Sequence, residues 1–138
     1  MDRRKPLPTD LQILDRIYNR YYDEFASFDR ETARREGKVY VPIDIASIAD
    51  ELGVDGDIVF GRLYYHLENK HGYKQENGSL VHLFAFQAGK ERHAVNFPYL
   101  ASVLAGMREE QRKYSTATTT AIVSLVLAAI SLYVSVFV

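Results

Sequence analysis

Four histidines, at positions 66, 71, 82 and 93, are the residues of this chain best suited to bind a metal. A zinc site draws three or four ligands from His, Cys, Asp and Glu at restricted spacings. Cysteine is absent, which removes thiolate ligands, cysteine nucleophiles and disulfides and agrees with a reducing compartment. A hairpin centred on Ala88-Gly89 would set His82 opposite Val95 and His93 opposite Phe84, so the two histidines would lie diagonally rather than paired. No carboxylate stands at ligand spacing from them. Asp50-Glu51 reads as an exposed helix face before it reads as a catalytic pair. G-x-G-x-x-G, the phosphate-binding loop and G-x-S-x-G are all missing. The expectation is a chain with no catalytic residue, no metal and no cofactor, and therefore not an enzyme.

Bulk properties narrow the remaining classes. Of 138 residues, about 115 precede an apolar end, enough for one small domain with a real core. Net charge is −1, and every charged residue lies before that end. Nucleic-acid binders usually carry a basic excess, and this chain has none.

The elements follow from period and punctuation. Met1–Lys5 is polar and basic, and residues 1–9 are expected to be disordered. Thr9 with Gln12 has capping-box form. Behind it Leu11, Leu14, Tyr18, Tyr21, Phe25 and Phe28, widened by Ile17 and Tyr22, predict an amphipathic helix over 10–28. A charged connector, 29–38, leads to the short β-like run Val39-Tyr40-Val41, cut off by Pro42. Asp44 can cap a helix bearing Ile45, Ile48, Ala49 and Leu52, and Gly53 stops it. Asp55-Gly56-Asp57 opens a second helix carrying Val59, Leu63 and Leu67 and ending at His71-Gly72. Leu80–Phe86 and Arg92–Phe97 then predict a hairpin, with a further tight turn at Asn77-Gly78.

Ala49, Gly53, Val54 and Val59 stand at the spacing of a helix-turn-helix, in which a small residue lets two helices cross and Gly takes the turn. With the hairpin after it, the stretch 10–97 resembles a winged-helix domain. The expected class is mainly α with a small β-hairpin (α+β), followed by a linker helix over 98–115 and a transmembrane helix over 116–138. In DNA-reading members of this superfamily the second helix enters the major groove. The resemblance would place Asp55, Gly56, Asp57, Phe60, Gly61 and Tyr64 on its outer face. None is basic and two are acidic, which opposes phosphate contact. Arg62, His66, Lys70, Lys90 and Arg92 are nearby cations, but they do not change the tip. Nucleic acid is thus the disfavoured partner. Phe60, Gly61 and Tyr64, with Asp55 and Asp57 beside them, either form a protein-binding patch or pack under the wing.

From Ala121 to Val138 there is no charge, Pro or Gly. As a helix, Ala117–Val138 would be about 33 Å long, against a hydrocarbon core of about 30 Å. Arg108, Arg112 and Lys113 flank it on the N-terminal side, which predicts a cytoplasmic N-terminal domain and a single-pass, tail-anchored chain, as in a bacterial inner membrane. Ala117, Ala121, Ser124, Ala128, Ser131 and Ser135 make one stripe of small residues with a 3.5-residue period. Such a stripe lets two helices approach as a homodimer, though its hydroxyls can equally return to their own helix. Three functions fit these features. They are an adaptor docking an unknown protein at the bilayer, a membrane-tethered DNA-binding regulator lacking an external sensor, and a small membrane-active effector gated by its soluble domain.

Overall fold

A computed structural model describes residues 6–32 and 35–138. The chain divides into two compact units, Met1–Leu104 and Ala105–Val138. The first is an α+β domain with a small antiparallel sheet. The second is the C-terminal part of one long helix, apolar over its last turns.

Helix α1 (Asp10–Ala26) begins as its sequence demands. The Thr9 hydroxyl accepts from the Gln12 amide at 3.1 Å, and the Thr9 amide donates to Gln12 Oε1 at 2.8 Å. Two donors that the first turn would otherwise leave unpaired are thereby satisfied. Of the stretch expected to be disordered, residues 1–5 lie outside the described residues. Pro8 is buried, and its carbonyl accepts from Arg62 at 3.1 Å. The helix ends two residues short of the predicted 28. Its buried line is Ile13, Leu14, Ile17 and Tyr21, and its aromatic flank lies on Phe97, with Tyr18 and Phe25 stacked at 5.4 and 4.6 Å.

Strand β1 (Tyr40–Pro42) precedes α2 (Ile45–Leu52). Asp44 caps α2 by accepting from the Ser47 amide at 3.2 Å, and the Tyr21 hydroxyl accepts from the Asp44 amide at 2.7 Å, pinning α2 to α1. Gly53 ends α2 at φ +71, the left-handed conformation that favours glycine. One rod of helical backbone then covers 56–71. It consists of α3 (Gly56–Gly61), a π-helical stretch (Arg62–Leu67) and α4 (Glu68–His71). Val59, Leu63 and Leu67 are each completely buried, worth about 1.5–3 kcal/mol apiece in transfer free energy.

Two hairpins follow. Strands β2 (Tyr73–Lys74) and β3 (Leu80–Val81) pair with each other, and β4 (Phe84–Ala88) pairs with β5 (Glu91–Asn96). The main sheet has the order β1-β5-β4, antiparallel throughout.

Two expectations about this region are corrected. The run Leu80–Phe86 is not one strand, because the Glu68 carboxylate interrupts it. Its Oε1 accepts from the Leu83 and Phe84 amides at 2.6 and 3.2 Å, and Oε2 meets His82 Nδ1 at 2.8 Å. The hairpin turns at Gly89-Lys90 rather than Ala88-Gly89, with Gly89 at φ +61. Phe84 therefore faces Val95, not His93. In a regular ladder a shift of two residues preserves the face of each side chain, whereas a shift of one exchanges the faces.

Helix α5 runs unbroken from Phe97 to Phe137, with the Asn96 side chain accepting from the Tyr99 amide at 3.2 Å at its start. The expected linker and apolar segment are thus one helix. Its first turns, with Phe97, Leu100 and Leu104 buried, belong to the N-terminal unit, which extends past the predicted boundary at 97. Its C-terminal part is long and apolar enough to cross a bilayer and is wholly exposed.

Candidate functional site

The outer face of the helical rod over 56–71 and the β4–β5 hairpin build one aromatic surface. Phe60 leaves α3 and lies 4.7 Å from Tyr64, ring centre to ring centre, and 6.1 Å from Tyr65. In a regular α-helix the residue five positions on is turned to another side. The π-helical stretch closes its bonds at i→i+5, as in the Glu68 amide donating to the Leu63 carbonyl, and this widened turn brings Tyr65 onto the same face. Tyr65 is 78% exposed and Phe86, from β4, is 54% exposed. Between them, Phe60, Tyr64 and His93 are half-buried.

His93 is the hub on the hairpin side. Its ring meets Phe60 at 6.0 Å, Tyr64 at 5.9 Å and Phe86 at 5.1 Å, each edge to face. Its Nδ1 lies 3.1 Å from the Tyr64 hydroxyl, which also reaches the Ala85 carbonyl at 3.3 Å. A hydroxyl has one proton, so it donates to one of these at a time. His93 adopts φ +53, alone among the described non-glycine residues. The turned backbone sends its carbonyl to the Ile43 amide at 3.0 Å and breaks the regular pairing between Ala85↔Ala94 and Gln87↔Arg92. Burial, helped by the charge of Glu68, pushes the Tyr64 phenol up to about 12.

The polar surroundings are mixed. Asp55 is the cap of α3, its carboxylate accepting from the Asp57 amide at 2.8 Å, while Asp57 is exposed in the first turn. Gly56 and Gly61 lie between, and a Cβ at Gly61 would meet only the Tyr65 ring, at 3.6 Å. The Arg92 guanidinium sits 6.0 Å over Phe86.

Two basic side chains of the same rod are already engaged. Arg62 binds Asp10 at 2.8 Å, and His66 Nε2 meets the other oxygen of that carboxylate at 2.9 Å. Burial raises the Asp10 carboxyl, but the hydrogen bonds and charges of Arg62 and His66 outweigh it, holding the group below the ordinary carboxylate value.

Of the predicted residues, Phe60, Gly61, Tyr64, Asp55 and Asp57 therefore lie on or beside one surface. Tyr65, Phe86 and His93 belong to it too and were not anticipated. The only sequence signal for Tyr65 was its place in the pair Tyr64-Tyr65, and a 3.6-residue period assigns it elsewhere. Among the described residues no group of three or more His, Asp or Glu side chains is gathered as a metal site.

The small residues Ala117, Ala121, Ser124, Ala128, Ser131 and Ser135 all lie exposed on α5. Arg108, Arg112 and Lys113 are exposed on the same helix, Lys113 pairing with Glu109 at 3.3 Å. Compared with protein families, with curated proteins and with solved structures, the chain matches none.

Proposed function

We propose that this chain is a membrane-held adaptor, a winged-helix domain that docks a protein partner through its aromatic face while α5 crosses the bilayer. The observation that carries the reading is that exposed Tyr65 and Phe86 each contact the half-buried Phe60–Tyr64–His93 cluster, Tyr65 through Phe60 and Phe86 through Tyr64 and His93. Exposed aromatic groups with an adjacent Arg are what protein interfaces are enriched in. The winged-helix assignment is supported by the order α1, β1, α2, α3–α4 and then the hairpin, with β1 laid against the hairpin's second strand.

An orientation with the domain on the cytoplasmic side rests on Arg108, Arg112 and Lys113 before the apolar segment. Dimerisation through the stripe from Ala117 to Ser135 is part of the same proposal. Against a DNA-reading role stand the acidic tip, Asp55 and Asp57, and the engagement of Arg62 and His66 by Asp10.

The test is a crosslinking pull-down of the full chain from detergent extract, repeated with Tyr65→Ala plus Phe86→Ala. Both rings are more than half exposed, so the domain should keep its fold. Loss of the captured partner supports the reading, and undiminished capture by the double variant refutes it. A salt titration with duplex DNA separates the regulator reading, for which binding must fall steeply with salt.

A further inference from the structure

Away from the aromatic face, Arg30 and residues 35–39 between α1 and β1, with the outer end of β4, border a partly open pocket of about 590 Å³. That is within the range of small-molecule sites, about 300–1,000 Å³. Ala85 and Ala88 of β4 line it, and their small side chains leave the space that larger residues would fill. Tyr40 supplies a flat wall from β1.

The connector side is cationic. Arg30, Arg35 and Lys38 line the cavity with one carboxylate, Glu36. Among the described lining residues Arg30, Arg35, Lys38 and Glu36, three positive charges less one negative leaves +2, in a chain whose net charge is −1. This is a local concentration of charge and not a reflection of composition.

The cationic wall is built rather than loose. Arg35 donates to the carbonyls of Gly37 at 3.0 Å, Glu24 at 3.3 Å and Lys38 at 3.4 Å, and its guanidinium lies 4.8 Å over the Phe28 ring. Lys38 Nζ lies 5.0 Å over Phe25. Two cations are thus seated on aromatic residues at the end of α1 and its exit, where a stacked ring limits side-chain freedom and lowers the entropy lost on binding. On the β4 side, His82 Nδ1 lies 2.8 Å from the Glu68 carboxylate.

We propose that this cavity binds a small organic anion. A phosphate or carboxylate group sits against Arg30 and Lys38, and a flat apolar body lies along Tyr40 and the alanines. Arg35 is a positioning residue that holds the wall. The anion's source is either a free metabolite or the headgroup of an anionic lipid, since both present the same chemistry to these cations.

The experiment uses the full chain in phosphatidylcholine nanodiscs, titrated calorimetrically with phenyl phosphate and, separately, with inorganic phosphate. Saturable binding of phenyl phosphate is expected, tighter than that of inorganic phosphate. Arg30→Gln with Lys38→Gln should weaken it about tenfold or more, as expected for losing hydrogen bonds to a charged group. Lys38→Arg alone, which keeps the charge, should keep most of the affinity. Circular dichroism of the double variant checks that the fold is intact, and the single Arg30→Gln variant serves if it is not. Repeating the titration in nanodiscs containing phosphatidylserine identifies the source. Competition there assigns the site to a lipid headgroup, and unchanged affinity assigns it to a free anion. Absence of saturable phenyl phosphate binding in phosphatidylcholine nanodiscs would overturn the proposal, as would binding that the double variant leaves unchanged.

Discussion

His93 stands at φ +53 inside a strand, a conformation that costs a residue bearing a Cβ about 1–2 kcal/mol relative to right-handed alternatives. The cost is offset by what the turned backbone delivers, a carbonyl bond to Ile43 and a ring placed among Phe60, Tyr64 and Phe86. His93→Ala and His93→Gly both lose the ring, so comparing them isolates the backbone. The glycine variant should be the more stable by about 1 kcal/mol in urea unfolding, the reverse of the usual order in a strand. An alanine variant equal to or better than glycine would show that no such cost exists.

Tyr64 gives a second residue-scale prediction. Its folded pKa, pushed up to about 12 by burial and by Glu68, exceeds the ordinary phenol value of about 10. Its contribution to stability is therefore complete below pH ~10 and is lost as pH climbs from there through ~12. Tyr64→Phe should flatten the fall in stability across that window. Asp10 works in the opposite sense. Its depressed pKa makes its contribution present above about pH 4 and lost as pH falls through the folded value. Asp10→Asn should therefore remove part of the acid-side slope.

At the level of elements, Glu68 and Gly72 act as a clamp. A Cβ on Gly72 would stand 2.8 Å from the Glu68 carbonyl and 2.6 Å from its Oε2. The conflict is with backbone, so Gly72→Ala should destabilise the domain by about 1–3 kcal/mol in thermal or urea unfolding, although φ at this position is an ordinary −61. A neutral effect would mean that the α4 end yields freely.

Local chemistry made much of the fold legible. Thr9 with Gln12, Asp44, Asp55 and Gly53 each act within three or four residues, and so their caps could be read from spacing alone. Val59, Leu63 and Leu67 repeat every four residues and are all buried. What escaped reading depends on distant partners. Glu68 splits the expected strand from 15 residues away, and nothing near His82-Leu83 announces it. The two-residue hairpin shift arose because Ala88-Gly89 and Gly89-Lys90 are both plausible turns, and cross-strand packing decides between them. The π-helical stretch likewise has no composition of its own, so Tyr65 could not be assigned to the aromatic face. Phe60 and Tyr64 were visible in advance, whereas Phe86 and His93 required the sheet.

Taken whole, the chain joins an α+β domain to a helix whose C-terminal part carries no charged residue from Ala121 to Val138. Burying such a surface in hydrocarbon is favourable at about 25 cal/mol per Å² of apolar area, whereas leaving it in water invites association. If the stripe seats a second copy, replacing Ser124, Ala128 and Ser131 with Leu should weaken self-association in a membrane two-helix assay by separating the backbones. Unaltered association would remove the stripe from the account. The adaptor reading, the orientation and the dimer all presuppose residence in lipid. Fractionation of cells expressing the full chain, with an alkaline carbonate wash of the membranes, examines that premise most directly. The account predicts a chain that stays in the washed pellet and is released only by detergent, and a chain found in the supernatant without detergent would contradict it.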